Sequence, residues 1–385
     1  MLNIAIIGTG AISDSHIKAY QQFSDRCRIA ALVDLYPDKA KEKAEQYGLD
    51  VPVYASIGDA VADTEFDAAS ICLPPFGHAD GAVELLQAGK HVLVEKPMAT
   101  CLEECDAMIA AAKASGKLLG VVSQNRFMTP MMKTKAMLDE GLIGKVLHAQ
   151  VDSFWWRGGN YYDLWWRGTW EKEGGGCTMN HAVHHIDLYQ WMMGMPEEVM
   201  AVTRNLSHEN SEVEDFSTAV LSYPDGRVGQ ITASLVHHGE DQQLVFQGDK
   251  ARIGVPFKVI ATNQRENGFP EDNEELATEL EKRYQELPQV ELEGHPGQID
   301  NFLNAINGTE PLLVDGVEAR RTLELVTAIY QSGQLEQKVT LPMTPSDLFY
   351  TRDGILKNAK HFHEKTKSVE NFSDTEITLG GNYGK

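Results

Sequence analysis

Up to about residue 122, short apolar runs alternate with segments whose apolar positions recur at helical spacing. Strands are predicted at 2–7, 28–33, 68–73, 91–94 and 117–122, and helices near 12–23, 37–47, 78–88 and 102–115. Strands that read as unbroken Val, Ile and Leu runs need apolar cover on both faces, which intervening helices supply. The pattern therefore predicts an α/β domain over residues 1–124, built on a doubly wound parallel sheet. After Arg126 the rhythm changes. A helix near 131–140 stops at Gly141 and leads to a longer strand at 146–154, then to an aromatic stretch and the run Gly174-Gly175-Gly176. Longer strands follow at 199–204, 217–223, 227–234 and 243–247, and Pro224-Asp225-Gly226 is a tight-turn signal for an antiparallel hairpin. Residues 125–344 are thus expected to form an α+β domain with a large, mostly antiparallel open sheet and helices on one face. Its other face needs a cover, which a homodimer or homotetramer would supply. Ile299, Phe302, Leu303 and Ile306 mark one buried helical stripe, and 317–331 a second. Residues 345–385 are polar and rich in Lys, His, Asn and Gly, and read either as an oligomer-embracing arm or as a flexible tail.

A length of 385 residues exceeds one ordinary core, in keeping with two domains. The formal net charge of −22 repels nucleic acid and anionic membrane, which argues against both as partners. No apolar run approaches the roughly 18 residues of a membrane span. The first residues read as a strand rather than a basic leader, so a cytoplasmic location is expected. Five scattered cysteines, Cys27, Cys72, Cys101, Cys105 and Cys177, are no disulfide framework. Cys101 and Cys105 lie one helical turn apart and read as buried small residues or as a metal or redox pair.

Candidate chemistry collects at predicted strand ends. The first strand runs into Gly8-Thr9-Gly10-Ala11-Ile12-Ser13, a glycine turn opening a helix, where Gly8, Gly10, Ala11 and Ile12 would cradle a pyrophosphate on backbone N–H groups. The third position of the motif is Ser13 rather than glycine. Asp34 closes the second strand; an acid there accepts hydrogen bonds from ribose hydroxyls and disfavours a 2′-phosphate, so NAD is expected over NADP. Leu73, Pro74 and Pro75 end the next strand, and the prolines hold the crossover away from the sheet edge to leave a cofactor crevice. His78 opens the following helix, and either faces that crevice or merely decorates the helix start. Glu95-Lys96-Pro97 follows the strand at 91–94. Nothing about building a core requires a charged pair there, whereas the carboxyl edge of such a sheet is where ligands bind.

Five of the six tryptophans lie between Trp155 and Trp170. Trp155, Tyr161 and Trp166 packing on the C–H faces of a sugar, with Arg157 and Arg167 binding its hydroxyls, would suit a polyol; a subunit interface rich in Trp and Arg would look similar. Asn125 and Arg126 are further substrate candidates on the linker facing the cleft. His181, His184, His185 and Asp187 share one predicted helix. His181 and His185 have the spacing of a zinc pair, but the HExxH glutamate is absent; no metal is expected, and His185 and Asp187 are expected to be mainly structural.

Gly8-x-Gly10, Cys72-Leu73-Pro74-Pro75-x-x-His78, Glu95-Lys96-Pro97 and the run from Gly174 to Asp187 together resemble the Gfo/Idh/MocA family, named for glucose-fructose oxidoreductase, inositol dehydrogenase and a rhizopine-catabolism protein. The resemblance spans Leu2 to about Gln331. It implies an N-terminal nucleotide-binding domain, a C-terminal open-sheet domain, and NAD(P)-dependent redox chemistry at a hydroxyl or carbonyl of a sugar or polyol. Carried onto this chain, it makes Lys96 a catalytic residue near the nicotinamide and His184 the proton-transfer histidine. The chemistry fits those roles: histidine starts near ~6.5, close to ambient pH, whereas lysine near ~10.4 serves better as a donor polarising the oxygen. Many relatives carry an acid four residues before the histidine. This chain has Asn180, which can orient the substrate or the imidazole but holds no proton, so Lys96 and His184 are expected to share the transfer. Two rival readings stay open: a glycosidase using NAD for transient oxidation and elimination, and a non-catalytic protein that binds NAD and a sugar.

Overall fold

The early alternation resolves, in the computed structural model, into β1 (Leu2–Ile7), α1 (Ser13–Gln22), β2 (Cys27–Val33), α2 (Pro37–Tyr47), β3 (Val53–Tyr54), α3 (Ile57–Asp63), β4 (Ala68–Ile71), α4 (His78–Gln87), β5 (His91–Val94), α5 (Leu102–Ser115) and β6 (Leu119–Val121). The structure describes residues 1–370 and 372. These six strands pair in parallel in the order β3-β2-β1-β4-β5-β6. Ile4, Ala5, Ile6, Val92, Leu93 and Val94 are all buried, because helices cover both faces. Each of the larger side chains contributes about 1.5–3 kcal/mol on burial. β3 and α3 escape the sequence pattern: the strand has two residues, and the helix starts from a local cap in which the Ser56 hydroxyl accepts the Asp59 N–H at 3.1 Å. Strand order reverses between β1 and β4, which opens a crevice at the carboxyl ends. Gly8, Asp34, Cys72 and Glu95 each stand immediately after a strand on that edge.

The second half contains α6 (Thr129–Asp139), β7 (Val146–Phe154), α7 (Cys177–Asn180), α8 (Val183–Met193), β8 (Glu198–Arg204), β9 (Phe216–Ser222), β10 (Val228–Ser234), β11 (Gln242–Gly248), β12 (Ala251–Val255), β13 (Lys258–Gln264), β14 (Pro270–Asp272), α9 (Glu274–Glu286), α10 (His295–Ile306), α11 (Gly316–Leu335), β15 (Val339–Thr340) and α12 (Arg352–Asn358). Nine strands form one sheet, ordered β14-β13-β12-β11-β7-β10-β9-β8-β15. It is antiparallel except where β7 and β10 run together, and the Pro224-Asp225-Gly226 turn joins β9 to β10 as an antiparallel hairpin. β13 is mostly exposed, so no buried face imposed an alternation that its sequence could reveal. α8 and α11 pack on one face of the sheet. On the other, Leu147, Met200, Val202, Val220, Val228 and Ile260 are exposed.

α10 follows the large sheet in sequence yet lies against α1 of the first. Ile299, Phe302 and Leu303 share a core with Ile4, Ile17, Phe23 and Leu93. Gln298 bridges to the end of β6, donating to the Val121 carbonyl (2.7 Å) and accepting the Ser123 N–H (2.8 Å). Beyond residue 345, Phe349, Tyr350 and Ile355 are buried, and Val369 bridges to Leu164. Residues 371 and 373–385 of the stretch read as an arm or tail lie outside the described residues. Among the described residues, no helix is long and apolar enough to cross a membrane.

Candidate active site

The glycine turn is shaped for a dinucleotide. Gly8 has φ +90°, and a Cβ there would come within 2.8 Å of the Cys72 carbonyl oxygen, so both conformation and space require glycine. At Gly10 the missing Cβ leaves open space. The backbone N–H groups of Gly10, Ala11 and Ile12 have no acceptor among the described residues, at the start of α1 where an anion is favoured. Ser13 is buried and its hydroxyl donates to the Gly10 carbonyl at 2.6 Å, closing the turn from the position where the motif usually has glycine. The Asp34 carboxylate accepts the Thr9 N–H (2.8 Å), the Thr9 hydroxyl (2.7 Å) and the Tyr36 N–H (2.9 Å), which fixes it beside the turn. Free donors at a helix start, with an acid fixed at the next strand end, could hold a dinucleotide of the NAD(P) kind. His78 does not face into the crevice as a ligand: its Nδ1 meets the Pro97 carbonyl and its Nε2 the Leu73 carbonyl, both at 2.8 Å, so it braces the crevice walls.

Across the crevice stand the two groups expected to exchange protons. Lys96 follows β5, and its ammonium donates to the Asn180 carbonyl at 3.2 Å. His184 lies in the first turn of α8, and both side chains line one cavity with Pro97, Val121, Ser123 and Leu323. Burial lowers the Lys96 pKa, and burial together with the Lys96 charge holds His184 well below its usual 6.5. The result is a neutral imidazole beside an ammonium group, an acceptor next to a donor. Glu95 has a different setting. It is buried, with Oε1 2.9 Å from His16 Nε2 and 3.3 Å from His295 Nε2, while Oε2 accepts the Lys96 N–H at 3.1 Å. Burial alone would raise this carboxyl, but the hydrogen bonds to the two histidines hold it well below the usual range. Glu95 therefore ties α1, the end of β5 and α10 together instead of presenting its carboxylate to the crevice. The Asn180 amide donates to the Gly175 carbonyl at 3.1 Å, so it orders the glycine run.

The aromatic stretch does converge. Tyr161 lies under two guanidinium groups, Arg167 at 4.2 Å and Arg157 at 5.8 Å from its ring centre, and Arg167 is also 4.2 Å from the Trp166 ring. The Tyr161 hydroxyl accepts from Arg167 and lies 3.4 Å from His181 Nε2. Trp155 is buried and meets the edge of His181, with ring centres 5.5 Å apart. The charge of Arg167 acts on Lys96, so this cluster borders the proton pair. Asn125 sits in a short turn, Gln124–Phe127, beside this edge. Arg126, expected to face the cleft, is instead fully buried: it grips Asp187 through two bonds of 2.7 Å and reaches Glu318 at 3.1 Å. Asp187 also accepts the Thr322 hydroxyl at 2.9 Å, and His185 meets the Ser153 hydroxyl at 2.8 Å.

Sequence-family models of the oxidoreductase family match residues 2–123 as its NAD-binding Rossmann fold and residues 135–341 as its C-terminal alpha/beta domain. The chain belongs to the Gfo/Idh/MocA oxidoreductase family. A curated relative, the inositol 2-dehydrogenase/D-chiro-inositol 3-dehydrogenase of Shouchella clausii, is 25% identical over 354 residues, covering 90% of this chain and 96% of the relative. The 2,7-anhydro-N-acetylneuraminate hydratase of Mediterraneibacter gnavus is 25% identical over 255 residues, 65% of this chain and 66% of that protein. Among solved structures, the WlbA dehydrogenase from Bordetella pertussis in complex with NADH and UDP-GlcNAcA superposes with a TM-score of 0.77 at 30% identity, over 89% of this chain and 98% of the other. The family, its two-sheet fold and its oxidoreductase class agree with the reading of the sequence.

This Gfo/Idh/MocA oxidoreductase also uses residues that sequence reasoning passed over. The start of α7 is held by Glu214 and Tyr330: Glu214 accepts the N–H groups of Gly176 (3.0 Å) and Thr178 (2.9 Å) and the Tyr330 hydroxyl (2.9 Å), and the Tyr330 oxygen accepts the Met179 N–H (3.1 Å). A Cβ at Gly176 would overlap the Glu214 carbonyl, which is why the run needs glycine there. No local spacing links residues 176, 214 and 330. Glu173 is the second omission. It is buried, accepts the Gly168 N–H at 2.5 Å and meets Arg167 at 3.1 Å, and burial pushes its carboxyl up to about 7. Between the ordinary 4.5 and about 7 the folded chain binds a proton at Glu173 that the unfolded chain has released, so this residue makes stability fall as pH rises through that window. Glu173→Gln should therefore melt progressively higher relative to wild type from pH 5 to pH 8, and a constant difference in melting temperature would refute the assignment.

Proposed function

We propose that the chain transfers hydride between NAD and a secondary hydroxyl or carbonyl of a sugar, sugar derivative or cyclitol. The observation that carries this reading is the adjacency of Lys96 and His184 on one cavity at the carboxyl edge of a sheet whose glycine turn fits a dinucleotide. Bound NAD supplies the two-electron acceptor. The N–H groups of Gly10, Ala11 and Ile12 hold its pyrophosphate, and Asp34 receives the ribose hydroxyls and disfavours a 2′-phosphate. Lys96 donates to the reacting oxygen. His184, neutral at physiological pH, accepts the hydroxyl proton as hydride leaves carbon. Tyr161 and Trp166 line the sugar seat with Arg157 and Arg167 at its polar edge, and the buried Trp155 backs this cluster through His181.

The test is a panel of sugars, sugar derivatives and cyclitols followed by the absorbance of reduced cofactor, with NAD and NADP in parallel. NADH formation with at least one member is expected; no reduction with any, or sugar binding without turnover, would sink the reading. Asp34→Ala should erode the preference for NAD over NADP, and unchanged discrimination would remove Asp34 from the cofactor site. The hydratase relative supports a second reading, transient oxidation followed by elimination. In that case product accumulates with no net NADH. We further propose a cytoplasmic homodimer or homotetramer. The exposed Met200, Val202, Val220 and Val228 on the open sheet face support the association, and five free buried cysteines suit a reducing compartment.

A further inference from the structure

We propose that the sugar accepted by this site carries an oxyanion, a carboxylate or a phosphate, seated against the guanidinium groups of Arg157 and Arg167 that flank Tyr161. The inference rests on the dehydrogenase reading for its chemistry, and on the following geometry for its ligand class.

Both arginine side chains are largely withdrawn from water, at 16% and 21% exposure, which calls for anionic partners. Among the described residues each uses only its Nη1. Arg157 Nη1 donates to the Trp156 carbonyl and to Glu240, and Arg167 Nη1 to the Tyr161 hydroxyl and to Glu173. The other edge of each guanidinium, Nε with Nη2, is the edge that grips a carboxylate or phosphate by two parallel bonds. Arg167 Nε is buried there without a partner. A second buried nitrogen of this cluster, His181 Nδ1, also lacks one. The charges acting most strongly on His181 are those of Arg157, Arg167 and Lys96, all of one sign. Glu173, raised to about 7, only partly offsets Arg167 near neutral pH.

Donors without acceptors select the ligand. A neutral hydroxyl accepts a hydrogen bond but brings a donor of its own, which here would find cations. An oxyanion only accepts. Glu240 already offsets Arg157, so the positive excess here comes from Lys96 and from Arg167 while Glu173 is protonated, a local feature in a chain of net charge −22.

The experiment compares matched sets: aldoses, their uronic acids and their 6-phosphates. Calorimetric binding to the NADH-saturated full chain and initial rates with NAD are measured for each. The anionic member is expected to bind about 10- to 100-fold more tightly than its neutral parent. In Arg157→Gln and Arg167→Gln the anion-to-neutral ratio should fall toward one, mainly through KM. Arg157→Lys keeps the charge but loses the paired edge, so it should fall between wild type and glutamine even if a glutamine variant misfolds. A preference confined to uronic acids identifies a carboxylate ligand, and one confined to the phosphates identifies a phosphate. Neutral sugars that bind as well as the anions, or a ratio unmoved by all three variants, would overturn the proposal. If no sugar is oxidised, the calorimetry decides alone. Arginine-dependent anion binding then keeps the anion seat while the dehydrogenase reading falls, and absence of anion binding rejects the seat itself.

Discussion

Lys96→Ala and His184→Ala are each expected to lower turnover by roughly 100-fold or more, the scale of a lost general acid or base, while NADH still binds. The reason lies in the split of roles across the crevice. Among the described residues the Lys96 ammonium donates only to the Asn180 carbonyl, at 3.2 Å, and so retains donors for a reacting oxygen. Buried and next to that ammonium, His184 is held in the neutral form that can take a proton. Asn180 cannot substitute for either, because its amide is engaged with the glycine run. The pH profile should follow: activity falls on the acid side as His184 protonates, at a pKa below 6.5, and on the alkaline side as Lys96 loses its proton, below 10.5. Steady-state kinetics over pH together with cofactor titration checks this. Near-normal turnover in either alanine variant would take that residue out of the reaction.

Arg126→Ala should cost about 3–5 kcal/mol of folding stability, because it leaves the Asp187 carboxylate buried with its charge unpaired. Asp187 would keep the Thr322 hydroxyl at 2.9 Å but lose both guanidinium bonds of 2.7 Å. Glu318 and Gln190, 3.0 Å apart, would lose the cation between α8 and α11 as well. The readout is the denaturant midpoint at unchanged slope. A variant as stable as wild type but with a raised KM for sugar would return Arg126 to the substrate site, where its position in the sequence first suggested it belonged.

Comparison of these two cases shows how far a sequence reaches. Lys96 was legible because a charged residue at the end of an apolar strand is a local anomaly, and the carboxyl edge of a parallel sheet is where such anomalies meet ligands. The glycine turn and Asp34 were legible for the same reason. Arg126 looked similar in one dimension, yet its partner is 61 residues away and turns it inward. Glu95 was read as part of the cofactor edge; its partners, His16 and His295, lie 79 and 200 residues distant. The aromatic run was seen as a cluster, but only its folding places two guanidinium groups over one tyrosine ring.

By itself the sequence determined the strongly patterned elements of the first sheet, several long strands of the second and the faces they bury, because periodicity and strand ends are recorded in neighbouring residues, whereas short or exposed elements such as β3 and β13 leave no such record. It likewise determined where glycine, proline and charge interrupt those elements. Tertiary structure alone decided that α10 returns to cover the first sheet, that Glu214 and Tyr330 hold the start of α7, and which buried charges are braces and which face the crevice. The physical reason is that a buried charge or hydrogen-bonding group is satisfied by whatever surface arrives opposite it, and that arrival depends on how whole elements pack.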